Sequence, residues 1–414
     1  MKICDIIMFN YTSTNGGIET YIAKKADFFA RQPNTEHIII MPGEKNGLQR
    51  KGNLSLYSVC SKKGIRVDIF EMRRNRKKIS EILKKERPDI IEVSQVYVLP
   101  ETAFAYSKIN NIPVVNFYHT HMPYLVELTV PEFISHGAVR VLQYIAMKKY
   151  RSVYNRFDTT LVATDILRKF LINQKVSNTC LVPFGVDLNL FNPNKKEDNL
   201  RRKFKIGNDE LILVYHGRFH KDKRIDILID SLARLPKSLK ARLLLIGDQP
   251  LYKDIHNQVE GNGNIILYPY TKNQDLLSRM LASSDIYVSA SPFESFGLSL
   301  VEAQASGLPV VAMKGGGIPE VVPPISGELG KPGDSGEFVE NILKVIKRGH
   351  KKVGDEARKY VEQNYSWDNT FAKLLTLYST LVRNKKVFES NVLFKQELQS
   401  SDNLADEKLQ QAKI

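Results

Sequence analysis

The stretch Ser289-Ala-Ser-Pro-Phe-Glu-Ser-Phe-Gly-Leu-Ser-Leu-Val-Glu-Ala-Gln-Ala305 decides the fold. It follows an apolar run with strand character, Asp285-Ile-Tyr-Val-Ser289. It holds a turn at Pro292, a Gly297-Leu298-Ser299 entry into a helix, and two glutamates eight positions apart, Glu294 and Glu302. Gly307-Leu-Pro309 closes the helix, and a second apolar run, Val310-Val-Ala312, follows. A strand, a polar loop and a helix N-terminus in succession make the ligand crevice of a parallel α/β sheet. Backbone N–H groups alone suffice for a phosphate. Two carboxylates beside them point to a ligand that also carries hydroxyls.

The same alternation extends both ways. Upstream, Leu211-Ile-Leu-Val-Tyr215 reads as a buried strand, followed by the basic loop His216-Gly-Arg-Phe-His-Lys-Asp-Lys-Arg224 and a helix with Ile225, Leu228, Ile229 and Leu232 on one face. Further strands are expected at 242–246, ending in Gly247-Asp248, and at 265–268, with a helix at 273–283. Downstream come Lys314-Gly-Gly-Gly317, helices at 336–348 and 353–363, and a long helix at 367–383. In the basic loop, Arg218 offers a fork of donors and Lys223 a point charge, which together suit a diphosphate.

The first half repeats the pattern. Residues 2–9 form an apolar strand, and a polar loop ending Asn15-Gly16-Gly17 leads to a helix with Ile18, Tyr21, Ile22, Ala26 and Phe29 inward. That geometry favours an anion, although Gly-Gly is also simply a turn. Strands at 37–41, 65–70, 89–93, 114–118 and 158–163 alternate with helices, including a cationic one over 73–85. Residues 44–64 read as loop with short strand pieces, and 124–157 as one long helical segment of mixed apolar, aromatic and basic character. His119 stands at the carboxyl end of its strand, where ligands bind. His119-Thr-His121 also has the spacing of a metal pair, but no Asp or Cys stands at ligand spacing. A structural histidine is the remaining reading.

Bulk properties bound the rest. The 414 residues exceed one ordinary core, and the polar run 189–210 marks the linker. The expected division is 1–188, 189–366, a returning helix at 367–383 and a polar tail at 384–414. No apolar run reaches membrane-spanning length, and Asp5 and Asn10 interrupt any signal-peptide core. The expected location is therefore cytoplasmic. Cys4, Cys60 and Cys180 are scattered, as free thiols in a reducing compartment are. Net charge is +15, and ten of those excess charges precede residue 189. That surface fits an anionic membrane or plain solvation. No RNA-binding signature accompanies it, so nucleic acid is not an expected partner.

Taken in order, Asn15-Gly16-Gly17-Ile-Glu19, His119-Thr120, Pro183-Phe-Gly-Val-Asp187, Gly217-Arg218 with Lys223, Gly247-Asp248 and Glu294 with Glu302 resemble retaining glycosyltransferases of family 4. The resemblance covers roughly residues 1–383. It implies the GT-B fold: α/β, two facing Rossmann-like doubly wound domains, with a C-terminal crossover helix. It further implies that the first domain binds the acceptor and the second a UDP- or GDP-linked sugar, with closure of the two expelling water. By that resemblance Gly16 and Gly17 approach the sugar diphosphate, and Arg218 and Lys223 hold it. Glu294 accepts from donor-sugar hydroxyls, and the Phe296-Gly297-Leu298 backbone caps the phosphate. Glu302 holds the ribose, and His119 lies beside the reacting sugar. The catalytic set is then His119, Arg218, Lys223 and Glu294, with no metal and no cofactor beyond the donor. The chain departs from the family at Arg224, where glycine is common.

A hydrolase pair is the tempting alternative for the two glutamates, but such pairs stand about 5–9.5 Å apart, and eight helical residues rise about 12 Å. An epimerase or an inactive sugar-nucleotide binder of the same architecture are the other readings. The basic first half motivates a lipid, lipid-linked or glycan acceptor met at an anionic membrane surface.

Overall fold

The computed structural model describes residues 1–9, 16–60, 75–96, 99–131, 133–248 and 250–387. The strand expected at 65–70, Arg73 and Arg74 of the cationic helix, Asn15, and most of the tail 384–414 lie outside these residues. The chain forms two compact units. One comprises residues 1–118, 152–161 and 371 onward; the other comprises 119–151 and 162–370.

The first sheet contains β1 (Lys2–Ile6), β2 (Glu36–Gly43), β3 (Gly47–Lys51), β4 (Leu54–Cys60), β5 (Ile90–Val93), β6 (Val114–Phe117), β7 (Thr159–Val162) and β8 (Thr179–Leu181). Their order is β3-β4-β2-β1-β5-β6-β7-β8. Strands β1, β2, β5 and β6 are almost wholly buried, which explains their mostly apolar runs: a parallel strand is covered on both faces. The stretch 44–64, read as loop with short strand pieces, contains β3 and β4, an antiparallel pair turning at Gly52 (φ 58°). Every residue of β3 is exposed, so it carried no apolar signal. The segment 124–157 is not one helix but two, Met122–Thr129 and His136–Tyr154, with Pro131 between them.

One feature of the first unit contradicts simple patterning. Asp5 in β1, Lys25, His37 in β2 and Glu92 in β5 are all buried. Lys25 Nζ lies 2.7 Å from Asp5 and 3.0 Å from Glu92, and His37 Nε2 is 2.6 Å from Asp5. Tyr378, on the helix over 367–387, takes a 3.0 Å hydrogen bond from Lys25 and donates to Glu92. Phe371 of the same helix packs on Phe28 and Tyr21 of the helix Gly17–Ala30.

The second unit holds β9 (Leu211–His216), β10 (Ala241–Gly247), β11 (Ile265–Pro269), β12 (Ile286–Ser289), β13 (Val310–Met313) and β14 (Gly327–Gly330). The order is β11-β10-β9-β12-β13-β14, and the pairings are parallel. Strand β14 and the helix Tyr252–Val259 had no sequence counterpart above. From β9 the chain winds outward through β10 and β11, then restarts at β12 on the other side of β9. The junction of β9 and β12 is therefore the topological switch point, where crevices form at the carboxyl ends of strands.

Candidate active site

Three loops leave the carboxyl ends of β9, β12 and β13; side chains of the first two meet, and the third supports them through its backbone. The β9 loop carries Arg218, Asp222 and Lys223, with a short 3-10 turn at Lys221–Lys223. The β12 loop carries Glu294 and runs into the helix Leu298–Ala305. Lys223 Nζ is 2.6 Å from Glu294 Oε1 and 3.3 Å from Asp222 Oδ2, with side-chain exposures of 14%, 25% and 12%. Burial works to lower the lysine's pKa, but attraction to Glu294 and Asp222 outweighs it, so the value is raised and the ammonium stays charged. Burial likewise opposes the Asp222 carboxylate, but Lys223 and a hydrogen bond from His220 hold its pKa below the usual value. Arg218 is exposed, and its carbonyl accepts from Tyr215 Oη at 3.3 Å.

Glu302 has a different neighbour. His216 Nε2, at the end of β9, stands 3.2 Å from Glu302 Oε2. Tyr287 of β12 donates to the His216 carbonyl at 3.0 Å and sets that strand end. Glu294 and Glu302 thus face separate partners, which does not suit a hydrolase pair flanking one bond.

The loop backbone is set by glycine. Gly297, before the helix, has φ 91° and ψ 60°, a region open chiefly to glycine. The 315–317 run lies directly under the Glu294 loop. Gly317 N donates to Glu294 O at 2.7 Å, and a Cβ on Gly316 would stand 2.1 Å from that same oxygen. At Arg224 the chain keeps a left-handed conformation, φ 47° and ψ 51°, despite the missing glycine. The side chain pairs with Asp226 at 2.7 Å.

His119 follows β6 in sequence, and its carbonyl accepts from Ser295 Oγ at 3.3 Å, beside Glu294. Its ring centroid is 5.9 Å from that of Phe184. Phe184 packs at 5.3 Å on Phe296, and Phe296 at 5.4 Å on Tyr365. The Pro183–Asp187 motif therefore acts as packing: a Cβ on Gly185 would meet Trp367 N at 2.2 Å. Gly16 and Gly17 lie in the first unit, at the start of the helix Gly17–Ala30, where the Gly16 carbonyl accepts from Thr20 N.

Sequence reasoning missed several neighbours. His121 stacks on Phe293 at 4.6 Å and 24°, and burial lowers its pKa to about 4. Tyr124 stacks on the same ring at 4.8 Å and 26°. Its pKa is raised by burial and then by the charges of Asp222 and Glu294. The sequence marks His121 only as half of a metal-spaced pair, and no spacing rule marks Tyr124. The one available signal was the aromatic and histidine density of 119–124. Among the described residues no three His, Cys, Asp or Glu side chains group as metal ligands.

Comparison with known proteins adds the lineage. The family profile "Glycosyl transferases group 1" matches residues 196–367, and "Glycosyltransferase Family 4" matches residues 15–190. Sulfoquinovosyl transferase SQD2 from Arabidopsis thaliana is 32% identical over 323 residues, 75% of this chain and 60% of that protein. The chain thus spans less than two thirds of that relative's length. A GDP-mannose-dependent alpha-(1-6)-phosphatidylinositol dimannoside mannosyltransferase from Mycobacterium tuberculosis is 25% identical over 71% of this chain and 74% of its own. Among solved structures, Anabaena Alr3699/HepE in complex with UDP-glucose superposes with a TM-score of 0.68 at 20% identity, over 90% of this chain and 99% of that one. Two parallel-sheet α/β units and two contiguous profile matches agree, and the chain belongs to glycosyltransferase family 4, with the GT-B fold.

Proposed function

We propose that the protein is a retaining glycosyltransferase. It moves a hexose (glucosyl, mannosyl or N-acetylhexosaminyl) from a UDP- or GDP-linked donor to a lipid, lipid-linked or glycan acceptor. The observation that carries this reading is the 2.6 Å contact of Lys223 with Glu294 at the switch point of the second sheet. It unites a cation for a diphosphate and an acceptor for sugar hydroxyls beside a helix N-terminus. As the anomeric C–O bond breaks, negative charge builds on the departing nucleoside diphosphate. Arg218 and Lys223 stabilise that charge, so the reaction needs no metal of its own. Glu294 turns from Lys223 toward the sugar, Glu302 takes the ribose hydroxyls, and His119 lines the sugar side. Gly16 and Gly17 supply backbone N–H groups to the same donor. An acceptor hydroxyl replaces the diphosphate on the same face of the ring.

The GDP-mannose dependence of the mycobacterial relative and the UDP-glucose bound in the Anabaena structure support both nucleotide classes. The phosphatidylinositol dimannoside in the mycobacterial relative's name supports a lipid substrate. A basic surface supports work at an anionic cytoplasmic membrane face; Arg76, Lys77 and Lys78 are exposed, and no helix among the described residues is long and apolar enough to cross a membrane.

The test is a panel of nucleotide sugars offered with lipid and glycan acceptors, the product's anomeric configuration being read by NMR. The expected result is a new glycosidic bond of the donor's own configuration, at a rate EDTA leaves unchanged. An epimerised donor without acceptor, or binding without turnover, would overturn the reading in favour of an epimerase or an inactive binder.

A further inference from the structure

We infer that the helix His136–Tyr154, with the turn before it, is the surface that docks on an anionic lipid bilayer; the inference rests on the membrane reading above. Large apolar side chains stand in the open here. Phe133 is 85% exposed, Tyr144 66%, Val141 57% and Ile145 55%, with Leu142 and Leu128 exposed beside them. Val141, Tyr144 and Ile145 are spaced i, i+3 and i+4, so they share one helix face. The opposite face is already used, because Met147 and Tyr154 are buried. The helix is therefore apolar on both sides, which internal packing does not require.

The charges around the exposed face decide its occupant. The helix carries Arg140, Lys148, Lys149 and Arg151 and no acidic residue. Arg140, Lys148 and Lys149 are exposed on the same outward side. On the helix itself, apolar side chains flanked by basic ones match the boundary between acyl chains and anionic headgroups, with the lysines reaching back to the headgroups; the exposed Glu127 stands off this helix, beside Leu128. A second copy of the chain fits poorly. It would press the cations of two such helices together on molecules that each carry +15. The helix lies on the bilayer and does not cross it, since it is neither long nor apolar enough.

Flotation of the full chain with phosphatidylglycerol or phosphatidylcholine vesicles tests this. The wild type is expected to float with the anionic vesicles only. The variant Val141→Asp/Ile145→Asp should lose about tenfold or more in partitioning, the effect of withdrawing two apolar side chains from lipid. Arg140→Gln/Lys148→Gln/Lys149→Gln should lose a similar amount, and both should keep the wild-type melting temperature. If both variants bind as the wild type does, this surface is overturned while the membrane reading survives through another face. If the wild type binds no vesicles but forms a dimer that the apolar variant dissolves, both are overturned and the face belongs to a second copy.

Discussion

Each unit contains a lysine held between two carboxylates, and the two clusters stand in opposite surroundings. Lys25 sits between Asp5 and Glu92; Lys223 sits between Glu294 and Asp222. In both, burial opposes the charge and the carboxylates outweigh it, so both ammonium groups have raised pKa values. Charge chemistry does not separate them. Position does. Asp5 and Glu92 lie within the bodies of β1 and β5, fully covered, where Tyr378 closes the network. Lys223 and Glu294 lie beyond the ends of β9 and β12, partly open, with an exposed Arg218 nearby. A closed cluster fixes packing, and an open one at strand ends can exchange partners with a ligand.

The contrast is broken most directly at Lys25. Lys25→Met should cost about 3–5 kcal/mol of stability, because it leaves buried carboxylates uncompensated. Turnover per folded molecule should be unchanged. Denaturant unfolding reads the first quantity and an active-site-normalised assay the second; a stable Lys25→Met would mean the first cluster is not structural. Lys223→Ala should do the reverse: kcat falls about 10²- to 10³-fold, while the melting temperature stays within a few degrees of the wild type. Wild-type turnover in that variant, or in Glu294→Ala, would remove the second cluster from the chemistry.

Acid sharpens the comparison, since each unit holds a histidine whose pKa burial lowers, His37 fully and His121 partly covered. Burial lowers the pKa of His37 despite the opposing pull of Asp5, and it lowers that of His121 to about 4. A depressed histidine value means the unfolded chain takes up the proton first. Stability is complete above about pH 6.5 and falls as pH drops, for His121 down to about pH 4. Each histidine contributes at most about 1.4 kcal/mol per pH unit. Thermal unfolding followed from pH 7 to 4 should show this slope, and His37→Gln or His121→Gln should each flatten it. A slope the same in both variants would assign it elsewhere. The smallest effect belongs to Arg224. Its left-handed backbone costs about 1–2 kcal/mol, so Arg224→Gly should change stability by less than about 1 kcal/mol, the relief being offset by glycine's unfolded-state entropy and the lost pairing with Asp226. A larger loss would show that the ion pair fixes the loop.

Much of the fold was legible because parallel strands buried on both faces are mostly apolar, with the few buried polar groups paired. Strands β1, β2, β5, β6, β9, β10, β12 and β13 announced themselves that way. Strand β3 did not, because an exposed edge needs no apolar residue. The break between the helices Met122–Thr129 and His136–Tyr154 was signalled by Pro131, but continuous amphipathic character masked it. At the candidate site, strand and turn signals placed Arg218, Lys223 and Glu294 in loops after strands, and Glu302 in the helix that follows. Asp222 sat unremarked beside Lys223, and His216 beside Gly217, since neither pairing is visible without the fold.

By itself the sequence determined the class: alternating βα units, two sheets, and polar loops at strand ends where a phosphate-bearing ligand is expected. That much is local, carried by periodicity, turn residues and motif order. Only the tertiary structure decided which loops meet. Strands β9 and β12 are about seventy residues apart in the chain, yet adjacent in the sheet. That adjacency brings Lys223 to Glu294 and His216 to Glu302. It also decided that one lysine is sealed in a core and another left open, because burial is a property of the packed chain.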